Sequence, residues 1–318
     1  MLIAPWFCLW LIRGQYAMIR MKEYGKEELP VFANMHNHST FSDGIYTPEQ
    51  LAKMAKENGY GAFVLTDHDT VQGTYFMQKA ARMEGLLTIL GCEFTTVESG
   101  HGIHLLGFDF NPDEPGIREF LTHGATKELR RTELLLKWAQ EKGRCQEVTW
   151  QEVRQTYPYN DYLCNNHIFN VLVAKGARTE DEYFDFFDPD FKWNPVVQAK
   201  IDQVLQLPPH STKDVIQAVR EAGGVPVIAH PHEQLHLIPE LAEAGLMGIE
   251  CNHPMLTDEE VATAHQLAEK YHLYKTGGTD HSGVLGGYDK TNPELCCELP
   301  RNSASEADFM ALYRRELG

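Results

Sequence analysis

Residues 31–44 read Val-Phe-Ala-Asn-Met-His-Asn-His-Ser-Thr-Phe-Ser-Asp-Gly, an apolar run that ends in two histidines and an aspartate. The run predicts a buried β-strand whose carboxyl end carries polar side chains. His36 and His38 are two residues apart, so on a strand both rings point to the same face and can reach one cation. The stretch therefore predicts a strand of an α/β fold together with the first part of a metal site.

Six further apolar runs repeat this pattern, and helical patterns separate most of them. They span residues 61–68, 86–94, 103–110, 225–230, 246–252 and 273–280. Strands that alternate with helices predict parallel pairing through right-handed crossovers. Seven such strands suggest either a closed barrel or an open, doubly wound sheet.

Almost every strand candidate ends in residue types that bind metal ions. The carboxyl ends of parallel strands form the active face of α/β folds, so we expect these side chains to meet in one pocket. Imidazole mixed with carboxylate suits Zn, Mn or Fe better than Ca or Mg. The set exceeds the needs of a single ion, so two or three ions are expected, with Glu93 able to bridge two of them. The residues of these types at or near the strand ends are His36, His38, Asp43, Asp67, His68, Asp69, Glu93, His104, His230, His232, Glu250, His253, Asp280 and His281.

The charge of the chain limits its partners. A formal net charge of −17 over 318 residues disfavours duplex DNA or RNA as the main partner. An anionic substrate then needs a local positive centre, which bound metal ions would provide. Seven cysteines without a C-x-x-C pattern favour a reduced compartment, and the apolar stretch Met1–Ile12 is too short to span a bilayer. We therefore expect a cytoplasmic protein without a membrane partner, and the oligomeric state stays open.

The chain divides into three predicted parts. Residues 1–30 read as an N-terminal extension, residues 31–110 and 210–318 as the α/β body, and residues 111–209 as a helical insertion without a convincing strand. We expect the insertion to cover the active site. His232 and His253 are expected to support ligands or the fold rather than to bind metal.

Together these motifs resemble those of the PHP (polymerase and histidinol phosphatase) family, especially its stand-alone metal-dependent phosphoesterases. The matching pieces are residues 36–44, 65–70, 91–93, 104–107, 229–231 and 278–280. The resemblance implies a distorted, TIM-like barrel of seven β/α units with a trinuclear metal centre at its C-terminal face.

The resemblance also implies a ligand set for each ion. The first ion would bind His36, His38, Glu93 and Asp280; the second Glu93, His104 and His230; the third Asp43, His68 and a residue after Asp280. The family usually reads Asp-x-His at that last position, whereas this chain reads Asp280-His281-Ser282. Either His281 takes the place of the usual ligand or the third site is altered, and we favour His281.

A second departure lies in the insertion. Related nucleotide phosphatases carry Gly-Arg-Pro-His at a helix start, where this chain has Cys164-Asn165-Asn166-His167. His167 is retained, but arginine, the preferred bidentate phosphate ligand, is absent. Arg130 and Arg131 on the long insertion helix are candidates to replace it, although solvated helix charges are an equal alternative. The candidates for substrate binding are therefore Arg130, Arg131, His167 and Ser282.

The resemblance implies metal-assisted hydrolysis of a phosphate ester. A hydroxide that bridges the first two ions would be the nucleophile, and Asp43, His230 or His281 would assist proton transfer. A nucleotide or sugar phosphate monoester is the expected substrate. The missing arginine and the altered last motif leave the cyclic phosphodiester of a phosphorylated sugar as an alternative. Amide or ring hydrolysis and a non-catalytic role are further alternatives.

Overall fold

The computed structural model describes residues 32–187, 191, 195–282 and 302–317. The predicted extension, residues 1–30, lies outside the described residues. The strands are β1 (Ala33–Asn34), β2 (Ala62–Phe63), β3 (Gly91–Glu98), β4 (His101–Phe108), β5 (His210–Ser211), β6 (Val225–Ile228), β7 (Gly248–Asn252) and β8 (Tyr274–Gly277). The helices are α1 (Pro48–Glu57), α2 (Gln72–Glu84), α3 (Pro115–Glu141), α4 (Trp150–Thr156), α5 (Asn165–Ala174), α6 (Tyr183–Phe187), α7 (Pro195–Leu205), α8 (Thr212–Glu221), α9 (Ile238–Glu243), α10 (Asp258–Tyr271) and α11 (Glu306–Tyr313).

The strands form two groups that are joined at both edges. One sheet has the order β5-β3-β4-β6-β7-β8, and β1 pairs with β2 in parallel. An isolated bridge between Asn37 and His281 links the chain after β1 to the chain after β8, and one between His68 and Glu93 links the chain after β2 to β3. The α/β class is confirmed, and the order β1-β2-β3-β4-β6-β7-β8 is the one expected of a distorted, TIM-like barrel.

One prediction about strand pairing is wrong. Strands β3 and β4 pair antiparallel, and so do β4 and β6. Only Ser99 and Gly100 separate β3 from β4, too few residues for a parallel crossover, and both have positive φ, 51° and 82°. Because β4 runs in the opposite direction, His104 in its first half reaches the same end of the fold as Glu93 on β3.

Helices α1 and α10 each begin with a capping box, in which the first and fourth residues satisfy each other's backbone N–H. The Thr47 side chain accepts from the N–H of Gln50, whose own side chain accepts from the N–H of Thr47, and Pro48 occupies the first turn of α1. The same capping box, made by Thr257 and Glu260, begins α10. Across the described ranges, no helix combines the length and the apolar character needed to cross a bilayer.

The chain between β4 and β5 is helical. It contains α3 to α7, and within its described residues there is no strand. These helices pack around their own apolar cluster, which includes Leu136, Ile168 and Leu172. Asn160 Nδ2 donates to Thr40 O at 2.7 Å, and Asn166 Nδ2 donates to Asp43 O at 3.0 Å. The helical segment is therefore held against the loop that follows β1.

Candidate metal centre

The two histidines after β1 lie in a buried cluster with two carboxylates. Their Nε2 atoms lie 3.0 Å (His36) and 3.1 Å (His38) from Glu93 Oε2. Asp280 Oδ1 lies 2.8 Å from His38 Nε2 and 3.6 Å from His36 Nε2. One potential ligand atom from each of the four residues lies within 4.8 Å of all the others. Atoms bound to one ion at about 2.1 Å have such separations.

Two further groups share members with the first. His68, Glu93 and His104 form one group, and His38, Asp43 and His68 form the other. Glu93 Oε1 lies 2.9 Å from His104 Nδ1 and 3.2 Å from His230 Nε2, while its Oε2 lies 3.3 Å from His68 Nδ1. Glu93 thus presents its two oxygens to different sets of imidazoles, the arrangement expected of a bridging carboxylate.

Among the buried atoms near this centre that make no hydrogen bond within the part of the chain that the structure describes, four belong to the groups above. They are His36 Nε2, His38 Nε2, His68 Nδ1 and Glu93 Oε2. Buried polar atoms are nearly always hydrogen-bonded, since leaving one unsatisfied costs about 1–3 kcal/mol. These four face one another rather than a protein donor. A cation bound among them would satisfy all four, so the donor set fits divalent metal ions.

Electrostatics also favour a cation here. Burial acts to lower the pKa of His36, but Glu93, Glu250 and Asp280 outweigh it and hold that pKa well above its usual value. Burial acts to raise the pKa of Glu93, but His36, His68 and His104 hold it well below its usual range. For His68 burial dominates and lowers the pKa to about 4. Near neutral pH Glu93 is therefore ionised and His68 neutral, the forms that bind metals, whereas His36 would release a proton when an ion binds.

His281 lies apart from these groups. In the described part of the chain it belongs to none of the sets of potential ligands, and its ring stacks on Tyr46 with centroids 5.8 Å apart. Its carbonyl accepts from His38 N at 2.9 Å, and that of Ser282 accepts from Ile45 N at 2.9 Å. Metal binding by His281 and substrate binding by Ser282 stay predictions.

The two neighbouring arginines on α3 have different surroundings. Arg130 is exposed, whereas the Arg131 side chain is only 15% exposed and its Nη1 lies 2.9 Å from Glu128 Oε1. Glu128 raises the pKa of Arg131, and the Tyr162 hydroxyl adds to the effect. The Tyr162 ring in turn stacks on His68, with centroids 6.1 Å apart. Arg131 is therefore the less exposed of the two arginines, and it interacts with a ring that contacts His68.

His167 joins two parts of the chain. Its Nδ1 accepts from Cys164 N at 3.0 Å, and its ring also hydrogen-bonds the Thr40 backbone. Because Nδ1 is an acceptor, the ring proton of the neutral form lies on Nε2. These contacts connect the helical segment to the loop after β1, and substrate binding by His167 stays a prediction.

The metal-free protein is expected to lose stability between pH 7 and pH 4.5 partly through His167. Burial lowers the pKa of His167 to about 4, whereas it is about 6.5 in the unfolded chain. The unfolded state therefore binds more protons in this range, so stability falls as pH falls, by about 2 kcal/mol from this residue. Urea unfolding in the presence of a chelator checks this.

A matched pair of variants isolates the His167 contribution. Between pH 7 and pH 4.5, the free energy of unfolding of the wild-type protein should fall by about 2 kcal/mol more than that of His167→Gln. His101→Gln, which replaces an exposed histidine, should follow the wild-type profile. Equal pH dependence in wild type and His167→Gln would contradict the assignment.

Two more buried residues lie beside the centre: Glu250 in β7, which none of the implied ligand sets includes, and His253 directly after β7, which was expected to support ligands or the fold. Glu250 lies with its oxygens 3.2 and 3.1 Å from His36 Nδ1. His253 is buried, burial lowers its pKa to about 4, and its Nδ1 accepts from Met255 N at 3.1 Å. The available signal was a charged residue inside the apolar run 246–252.

The fold and the site define an α/β protein with a histidine and carboxylate cluster able to hold metal ions at its strand ends. A family model described as the PHP domain matches residues 34–221, more than half of the chain. The chain therefore belongs to the PHP domain family, as its motifs indicate.

Three similar proteins extend the comparison. A phosphoribosyl 1,2-cyclic phosphate 1,2-diphosphodiesterase of Eggerthella lenta is 29% identical over 80% of this chain and 95% of its own length. The 5'-3' exoribonuclease Rnm of Escherichia coli is 26% identical over 79% of this chain and 85% of its own. A solved structure from Bifidobacterium adolescentis, named as a metal-dependent phosphoesterase, is 27% identical with a TM-score of 0.74, over 91% of this chain and 98% of that one.

Proposed function

We propose that this protein is a metal-dependent phosphoesterase that hydrolyses a small phosphorylated metabolite. The observation that carries the proposal is the convergence of four unsatisfied, buried ligand atoms around Glu93. Cations bound there would give a chain of net charge −17 the positive centre that an anionic phosphate ester needs. The names of the similar proteins, a cyclic phosphate diphosphodiesterase and a metal-dependent phosphoesterase, support the same reaction class.

The clustered side chains suit two or three ions of Mn, Fe or Zn. The first ion would bind His36, His38, Glu93 and Asp280. The second would bind Glu93 and His104, together with His230 or His68. The third would bind Asp43 and His68, together with His38 or His281. Such ions, when bound, lower the pKa of a coordinated water towards ~7 and neutralise charge on phosphoryl oxygens.

Two of the predicted catalytic residues lie on the open side of the centre. The side chain of Asp43 is 26% exposed, and that of His230 is 15% exposed, whereas Glu93 is fully buried. A residue that passes a proton to a leaving group must reach the substrate, so Asp43 and His230 are the better placed candidates. Residues 111–209 would form a helical insertion that covers this side and contributes to specificity, because Asn166 is bonded to the backbone of Asp43.

Replacing Arg131 is expected to weaken substrate binding. Arg131 is a half-buried cation near Tyr162, and a hydrogen bond to a charged group is worth about 1.5–3 kcal/mol. Arg131→Gln should raise KM for a phosphate ester about tenfold or more. Arg130→Gln, the same change at the exposed neighbour, should leave KM unchanged. Equal effects of the two changes in steady-state kinetics would contradict the assignment.

A specific observation supports a cyclic phosphodiester as an alternative to a nucleotide monoester. Where related nucleotide phosphatases have an arginine, this chain has Asn165, a neutral side chain whose Nδ2 donates to Phe191 O at 3.4 Å. The 29% identical relative is named for a phosphoribosyl cyclic phosphate. We therefore keep the cyclic phosphodiester of a phosphorylated sugar as the second candidate substrate.

Phosphate release by the Mn-reconstituted protein tests the proposal and separates the candidates. The substrates are a nucleoside monophosphate, a sugar phosphate, a cyclic ribose phosphodiester and a short 5'-phosphorylated oligoribonucleotide, each with and without a second phosphatase. Release from monoesters alone supports a phosphatase, and release that needs the second phosphatase supports opening of the cyclic diester. No turnover of any ester by metal-loaded protein would overturn the proposal in favour of amide or ring hydrolysis or a non-catalytic role.

A further inference from the structure

Glu250 is a fully buried carboxylate that contacts two of the candidate ligands. Its two oxygens lie 3.2 and 3.1 Å from His36 Nδ1, and its Oε2 accepts from the backbone N–H of His230 at 2.7 Å. His36 would serve the first ion and His230 the second. A single side chain of β7 therefore contacts residues that belong to two neighbouring sites.

The contact with His36 fixes which ring nitrogen can bind a metal. A carboxylate can only accept, so the proton of the neutral His36 ring lies on Nδ1. The lone pair is then on Nε2, the atom that lies 3.0 Å from Glu93 Oε2. Carboxylates that orient metal-binding histidines in this way also make the ring more basic.

The contact with His230 stabilises an uncommon backbone conformation. His230 has a φ of 26°, and a non-glycine residue keeps such a positive φ only where its surroundings hold it. The hydrogen bond from its N–H to Glu250 is one such restraint. In this conformation the His230 ring reaches Glu93 Oε1 and His104 Nδ1, each at 3.2 Å.

We propose that Glu250 is a positioning residue that couples the first two metal sites by holding His36 and His230 in their binding geometry. The inference rests on the proposed function, since it assumes that these histidines bind metal ions. If Glu250 has this role, replacing it weakens the binding of two metal ions, although Glu250 itself binds neither.

Direct coordination by Glu250 is the competing interpretation, because His36, Glu250 and His253 could themselves surround an ion. The hydrogen bonds of His253 argue against it. Its Nδ1 accepts from Met255 N, so the ring proton of the neutral form lies on Nε2, the atom 3.9 Å from Asp280 Oδ2. A protonated nitrogen cannot bind a metal, so that third ligand is not available.

Metal binding by Glu250→Gln tests the proposal. Glutamine keeps the size but loses the negative charge, and its amide places N–H donors where Glu250 Oε1 now lies 3.2 Å from His36 Nδ1, so it holds His36 more weakly. Equilibrium dialysis against Mn, with bound metal measured by mass spectrometry, should show 10–100-fold weaker binding. Activity should return towards the wild-type value when Mn is raised, because the ligands themselves remain.

Glu260→Gln is the matched control. Glu260 places both oxygens 3.0 Å from His232 Nδ1, the same arrangement on a ring that belongs to none of the groups of potential ligands among the described residues. This variant should bind Mn like the wild type. Melting curves of the chelated proteins show whether each variant folds, and Glu250→Asp replaces Glu250→Gln if the latter does not.

Each remaining outcome decides the question. Wild-type Mn affinity and stoichiometry in the Glu250 variant would overturn the proposal. If Glu250→Gln and His253→Gln each lost the same ion, the proposal would also be overturned, because Glu250 would then bind that ion directly. Absence of bound Mn in the wild-type protein would overturn the proposed function itself, and the inference with it.

Discussion

Glu93→Gln is expected to abolish phosphoesterase activity and to remove bound metal. The two oxygens of Glu93 face different groups of candidate ligands, so its neutralisation would affect two ions. The amide N–H groups would also donate to the lone pairs of His36 and His38, the lone pairs that a metal ion would otherwise use. We expect activity to fall at least 10³-fold, which corresponds to about 4 kcal/mol of lost transition-state stabilisation.

The same substitution at Glu98 is the control. Glu98 lies five residues farther along β3, where it pairs with Lys213 at 3.4 Å, away from the cluster. Glu98→Gln should keep its metal content and its activity. If Glu93→Gln kept the wild-type metal content, or more than a tenth of the activity, Glu93 would not be a bridging metal ligand.

Gly278→Ala is expected to disrupt the fold beside the metal centre. A Cβ at Gly278 would lie 2.5 Å from His36 N and closer still to His36 Cβ. Backbone and a buried ring cannot give way cheaply in a packed core, so either the chain after β1 or the chain after β8 must move. We expect a loss of about 3 kcal/mol in the free energy of unfolding, together with weaker metal binding.

Gly102→Ala provides the comparison for Gly278. A Cβ at Gly102, in β4, meets no atom within 4 Å, so the same added methyl group should cost little. Urea unfolding and Mn dialysis of both variants measure the two effects. A Gly278→Ala protein with wild-type stability and wild-type Mn affinity would contradict the packing described here.

The meeting of strand ends is the part of the centre that a sequence can predict. His36 and His38, Glu93, and Asp280 come from three distant parts of the chain, yet each follows or lies on a strand and their potential ligand atoms meet. The period of a strand and the polarity of α/β folds predict such a polar cluster, whereas the assignment of residues to each ion rests on the resemblance to the PHP family.

Backbone conformation limits what sequence can predict about the remaining site residues. Asp280 has a positive φ of 53°, so the chain turns there and the His281 ring reaches Tyr46. No residue pattern indicates that turn, because aspartate only occasionally adopts this conformation. The two arginines are a second example. The rotation of α3 about its own axis decides which of Arg130 and Arg131 is the less exposed, and a helical pattern alone does not define that rotation.

The most direct test counts metal ions and measures phosphate release in the same sample. Chelated protein is titrated with Mn, and at each point bound Mn per chain and phosphate release from a phosphate ester are determined. We expect more than one bound Mn per chain and activity that appears only as the ions bind. Glu93→Gln should show no such activity. Less than one bound ion per chain, or phosphate release that is indifferent to chelation, would contradict it.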